Sequence, residues 1–214
     1  MQGPAHLGIS WLLGVSGGAR DRRDRRIVGL AGLVPDIDVI VYPLAYVFFL
    51  GDLDRAFGIY TNVHHRYTHG IVFAVLVAFA AYRLASGSNR RRIAALAFAA
   101  VGIHIACDVI ASGNAWPVYP LWPVSNLAWS VEWSWSASDW RNVGISVLAI
   151  VMTLVYAKRK GYSPVECFSY RADDWLAAVM RGEVTSTRRF RIVLYSVLAV
   201  VTAAVVLPLW LYLE

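Results

Sequence analysis

Charge is scarce in this 214-residue chain: Asp, Glu, Lys and Arg together make up 16%, where a soluble domain usually carries about one quarter. That shortage, with 58% hydrophobic residues and a mean hydropathy of +0.52, excludes an ordinary soluble domain. The same apolar richness excludes disorder. Cysteine is scarcer still. Cys107 falls inside an apolar run and Cys167 in a polar loop, so no disulfide framework is expected and both read as free thiols. The N-terminus lacks the basic start and small-residue cleavage site of a secretory signal, so no removed segment is expected. Histidine numbers only five. What remains is a membrane protein with few polar side chains to account for.

A bilayer core about 30 Å thick needs roughly 20 mostly apolar helical residues. Five stretches approach that length, at 27–50, 70–86, 93–111, 142–157 and 192–213, and a shorter one at 4–19 is a candidate sixth, partly inserted helix. The expected fold is therefore all-α, a polytopic membrane helical bundle of about five to six membrane helices. Its expected organisation is a membrane-embedded core over 1–160, a cytoplasmic linker or amphipathic segment over 161–189, and a C-terminal transmembrane helix over 190–214.

The net charge of +6 would suit nucleic-acid binding, but its distribution reads as a topology signal instead, and no nucleic acid is expected. All but three of the 20 basic residues lie before the first long run, between the second and third, or between the fourth and fifth; Arg55, Arg66 and Arg141 are the exceptions. Basic loops face the cytoplasm, so an integral inner or plasma membrane protein is expected, with loops 51–69 and 112–141 outside. The second of these holds Trp116, Trp122, Trp129, Trp133, Trp135 and Trp140. Such rings favour the headgroup level, and a platform for a lipid substrate is the sharper alternative.

Three acids fall inside apolar runs: Asp36, Asp38 and Asp108. His104 precedes Asp108 by four residues, which puts both on one helix face. His64, His65 and His69 open the second run, with His65 and His69 at the same spacing on an expected helix start, and His6 heads the shortest run. At about 1.5 Å per residue, Asp36 and Asp38 lie roughly 14–17 Å from Ile27, and His104 and Asp108 roughly 17–23 Å from Ile93. The set converges on the middle to outer half of the bilayer. Carboxylates at that depth need a partner, yet no Lys or Arg lies centrally in these runs. A metal ion supplies the missing charge: imidazole with carboxylate suits zinc, iron or manganese, as one or two ions. Pro35 removes a backbone donor and should break the first run, turning Asp36 and Asp38 into a cavity. Two other classes use the same residues, a metal-ion or proton transporter and a scaffold in which they pair helices.

The order Ala5-His6, then Leu33-Val34-Pro35-Asp36-Ile37-Asp38, then His65-Arg66-Tyr67-Thr68-His69, then His104-Ile105-Ala106-Cys107-Asp108 followed by Leu121-Trp122-Pro123, resembles the YdjM-like family of membrane-bound metal-dependent hydrolases. The resemblance spans roughly residues 5–123 and departs from the family pattern at Val39 and Gly70. It implies metal ligation by His6, Asp36 or Asp38, His65, His69, His104 and Asp108. More remotely, the order of His and Asp is similar to zinc-dependent phospholipase C, which points to phosphoester chemistry. Asp38 is then a candidate general base, Arg66 a binder of an anionic oxygen, and Thr68 an orienter of a water or ligand. The expected substrate is a lipid or lipid-linked phosphate.

Overall fold

The computed structural model describes residues 1–184. The run at 192–213, the helix expected over 190–214 and the end of the 161–189 segment lie outside the described residues. The chain divides into two compact units, 1–137 and one that begins at Ser138. Among the described residues there is no strand, only an isolated bridge between Val118 and Trp129.

The first unit runs α1 (Gly3–Ser16), α2 (Arg22–Ala31), a 3-10 segment (Val34–Ile40), α3 (Val41–Phe48), α4 (Leu53–Val63), α5 (Ile71–Leu84) and α6 (Arg90–Ala111). Local chemistry sets several starts. Pro4 sits in the first turn of α1, where a missing N–H costs nothing. Asp21 accepts from the Asp24 amide at 2.9 Å, and Asp52 from the Arg55 amide at 3.0 Å, capping α2 and α4. The apolar run 27–50 is not one helix. It breaks after Ala31 and resumes at Val34 with Pro35, and the two parts are bent by 56°.

Two described helices are long and apolar enough to cross a bilayer: α6 with the turn before it, and α7 (Trp140–Lys160) of the second unit. The bent stretch through α2 and α3 makes a third if it crosses as one broken span. The sequence led us to expect five or six. The runs at 4–19 and 70–86 fold as helices of 14 residues each, about 21 Å long at 1.5 Å per residue, which is short of a 30 Å core.

Packing within the first unit is inside-out relative to a soluble protein. Val75, Leu76 and Phe79 of α5 are exposed, while Ala74 and Ala81 of the same helix are buried. Ala81, Ala97 and Ala100 form a cluster with Val28 and Ile93. Small residues at contacts and large apolar ones outside are what helices in lipid require, because lipid offers Leu or Phe as much as a core does.

The closest helix contact uses Gly32, just beyond α2. A Cβ at Gly32 would lie 1.6 Å from Ser10 Oγ and 2.4 Å from Ser10 Cβ. One turn earlier in α2, Val28 Cβ stands 3.1 Å from where a Cβ on Gly14 would be. At both places a glycine backbone on one side takes a side chain from the other, Ser10 against Gly32 and Val28 against Gly14.

In the second unit, Gly161 at φ +78° ends α7 behind Lys158, Arg159 and Lys160, which suit the negative end of the helix dipole. The Ser163 hydroxyl donates to Asp173 Oδ1 at 2.6 Å and ties the 3-10 turn Pro164–Cys167 to α8 (Tyr170–Met180).

Gly32→Ala forces Ser10 and its helix to move, at a cost of about 1–3 kcal/mol. The thermal midpoint in detergent falls, and Ser10→Gly in the same background restores part of it. An unchanged midpoint would refute the close approach.

Candidate metal centre

Four segments bring the polar residues of the apolar runs together. α1 supplies His6, the 3-10 segment Asp36 and Asp38, the turn between α4 and α5 His64, His65 and His69, and α6 His104 and Asp108. In the 3-10 segment, residues two apart diverge by about 120°, so the two Asp serve different neighbours. The spacing of His65 and His69 read as helical in the sequence. Instead, α4 ends at Val63 and α5 begins at Ile71. His65 takes a left-handed backbone at φ +66°, a conformation that non-glycine residues adopt at a cost. It is held there from one side of the fold: its carbonyl accepts from the Tyr119 amide at 3.0 Å, and its Nδ1 meets the Trp116 carbonyl at 3.2 Å.

The inner group is Asp36, His69, His104 and Asp108. His104 Nε2 lies 3.1 Å from His69 Nε2, 2.9 Å from Asp108 Oδ2 and 3.5 Å from Asp36 Oδ1. His69 Nε2 lies 3.4 Å from Asp108 Oδ2 and 3.8 Å from Asp36 Oδ1. A tetrahedral ion with bonds of about 2.0–2.1 Å places its ligand atoms about 3.3 Å apart, and these separations scatter around that edge. The two rings and Asp108 are buried; Asp36 is partly exposed, at 23% of its side chain.

Hydrogen bonds behind the rings decide what points into this group. His104 Nδ1 faces the Gly32 carbonyl at 2.8 Å. A carbonyl only accepts, so Nδ1 carries the proton and Nε2 of the neutral ring presents a lone pair. Thr68 Oγ1 donates to Asp38 Oδ2 at 2.7 Å and is left to accept from His69 Nδ1 at 3.0 Å. His69 Nε2 thus also presents a lone pair. As neutral rings, the two present lone pairs to each other at 3.1 Å, beside two carboxylate oxygens, a set that a cation can fill. Asp108 Oδ2 has no hydrogen bond although it is buried, and the same is true of His6 Nε2. His6 stacks on His104 with ring centroids 3.7 Å apart, and its Nε2 is 3.2 Å from Asp108 Oδ1. The Met1 amino group also contacts that oxygen.

The donor set fits a divalent ion by number, spacing and kind. Asp36, His69, His104 and Asp108 would hold it, with His6 against the shared carboxylate.

Asp38 lies outside this inner group. Its Oδ1 accepts from His64 Nδ1 at 2.6 Å and its Oδ2 from Thr68, so both oxygens are engaged. Arg66 is not among the cavity residues; its guanidinium lies over the Tyr119 ring, 4.5 Å from the centroid, and its buried Nε has no hydrogen bond. Burial, with His64 and His69 alongside, pushes the His65 imidazole down to about 2, so the ring is neutral.

Beside the cluster is a cavity of about 590 Å³, within the usual range for a small-molecule site. Leu30, Leu33, Val34, Ile37 and Val39 are among its apolar lining residues, and Asp36, His64, His65, Asp108 and Ser112 among its polar ones. Ile37 and Val39 are more than half exposed, so the apolar lining reaches the outer face of the unit. Tyr60 and Trp116 complete the wall. Sequence reasoning assigned Trp116 to an interfacial belt, with a lipid-substrate platform as the alternative, and it left His64 open. The paired His64-His65 was the one signal for the latter; for Trp116 there was none, since contact with His64 and His65 (ring centroids at 4.9 and 4.8 Å) is a long-range product of the fold.

The model of the YdjM inner membrane protein family matches residues 1–211. The chain belongs to that family. Comparisons with curated proteins and with solved structures return no match. Membership agrees with the apolar helices and places this YdjM-family chain in a membrane.

Elemental analysis of purified protein tests the centre. The wild type retains a divalent metal through desalting. Losing a hydrogen bond behind a ligand typically costs about 10–100-fold in affinity, and His104→Ala, which removes the ligand, costs more. Equal metal content in both proteins would exclude His104 as a ligand.

Proposed function

We propose that this protein is an integral membrane metal-dependent hydrolase, a phosphoesterase acting on a lipid or lipid-linked phosphate in the outer half of the bilayer. One observation carries the reading: two imidazole nitrogens and two carboxylate oxygens converge at ligand spacing, and the two carboxylates, Asp36 and Asp108, also line a cavity whose surface is mostly apolar. A polar headgroup suits the donor cluster and a hydrocarbon chain the apolar lining. The exposed Ile37 and Val39 offer a lateral way in from lipid.

Zinc suits a four-coordinate site of two His and two carboxylates, with manganese or iron as the alternatives. Such an ion supplies Lewis acidity to a phosphoryl oxygen and to the attacking water. The chain's own groups do the rest. Asp36, His69, His104 and Asp108 fix the position. Thr68 and the Gly32 carbonyl hold the rings so that Nε2 points inward. Asp38 is engaged by His64 and Thr68, and in this reading it orients both rather than taking a proton first. Arg66, stacked on Tyr119, brings positive charge near the anionic headgroup's approach. The apolar wall excludes water from the rest of the cavity.

The basic loops are read as cytoplasmic by the positive-inside rule, which directs the centre outward. The five or six membrane segments of this reading comprise α6, α7, the broken α2–α3 stretch, the shorter α1 and α5, and the C-terminal apolar run.

Purified protein loaded with zinc should cleave members of a panel of phospholipids and polyprenyl phosphates in mixed micelles. Because a metal contributes several kcal/mol to such a reaction, Asp108→Asn lowers the rate about 10³-fold. No cleavage anywhere on the panel, with bound metal confirmed, would overturn the proposal. Metal flux into proteoliposomes without hydrolysis would favour the transporter reading.

A further inference from the structure

Every ring in the turn and on α6 is tied through Nδ1. For His104 and His69 the tie serves the inner group. His64 and His65 carry the same device: His64 Nδ1 donates to the Asp38 carboxylate at 2.6 Å, and His65 Nδ1 to the Trp116 carbonyl at 3.2 Å. Metal-ligating histidines almost always donate their second N–H to a carboxylate or a backbone carbonyl, which fixes the tautomer and leaves the other nitrogen as ligand. His64 and His65 have this arrangement and no ion in the inner group to serve.

Both rings line the cavity, with centroids 4.2 Å apart. The ligand nitrogens of His64, His65 and His69 lie within 4.8 Å of one another. His69 Nε2 is already committed at 3.1 Å from His104 Nε2. A cation outside it therefore depends on His64 and His65, with open positions towards the cavity.

We infer that His64 and His65 hold a second, exchangeable divalent cation at the cavity, separate from the inner one, and that this ion takes the anionic oxygen of the substrate. Its position rests on the geometry above; its role with substrate rests on the hydrolase reading. The donors explain the division of labour. The inner group has two carboxylates, which balance a doubly charged ion. The outer pair brings no carboxylate of its own, with Asp38 one hydrogen bond removed, so its ion would keep charge to attract an anion and coordination sites to receive one, as catalytic rather than structural sites do. Imidazole donors select zinc, cobalt or nickel over magnesium or calcium.

The test is a metal titration of the full chain in detergent after chelator treatment, with Zn²⁺ and Co²⁺ counted by calorimetry and elemental analysis, followed by titration with inorganic phosphate. The wild type takes up two equivalents, the second weaker, and phosphate binds only once the second is present. His64→Ala keeps the first equivalent, which also shows that the centre has folded, and weakens the second at least about 100-fold together with phosphate binding. Asp38→Asn weakens the second by about 10–100-fold. A single equivalent in the wild type, two unchanged equivalents in His64→Ala, or loss of both in that variant would each overturn the second position, the last by making His64 a packing residue against Tyr60 and Trp116. These results leave the inner centre standing, whereas a wild type that binds no metal at all would sink both readings.

Discussion

The first unit is organised around a buried carboxylate that no Lys or Arg faces, with only the Met1 amino group and three imidazoles beside it. Asp108 is buried on α6, and the side chains that face it are His6, His69 and His104, not Lys or Arg. A carboxylate so placed in a low-dielectric interior costs several kcal/mol unless positive charge is supplied. Four segments from residue 6 to residue 108 bend towards that one requirement. The break after Ala31, the non-helical turn 64–70 and the left-handed His65 are all departures from regular helix, and each brings a donor to this place.

The scaffold that holds the donors is built from small residues. Ala81, Ala97 and Ala100 bring α5 and α6 together, and Gly32 lets α1 and α2 touch. Gly32 belongs to both layers of the argument, since its missing Cβ admits Ser10 and its carbonyl orients His104. Packing and ligand orientation are thus linked through one peptide unit, so a change that reads as a packing defect also turns a ring.

Much of the centre was legible in the sequence because helix periodicity is local. His104 and Asp108 had to share a face, and Pro35 had to break its run. Depth along the helices then grouped these residues with Asp36. The turn was not legible: a spacing of four between His65 and His69 looks the same whether the chain is helical or folded back, and only the contacts from Trp116 and Tyr119 decide it. The number of membrane spans was less legible for a related reason. Apolar content identified the runs at 4–19 and 70–86, but their helical length depends on where Gly17, Gly70 and Ala85 end them. The division of the two Asp between neighbours follows from 3-10 rather than α geometry, which an apolar pattern does not distinguish.

The clasp on His65 has a consequence for how the protein is made. Its backbone and ring are fixed by Trp116 and Tyr119, and the first amide of α5 is bound by the Pro120 carbonyl at 2.8 Å. None of those partners exists until about 50 further residues have left the ribosome, by which time α5 and α6 have already been made. The orientation of His65 is therefore among the last things this unit acquires during synthesis. The helices have to find their places in lipid with the clasp on His65 still unmade, so the turn that carries it sets last.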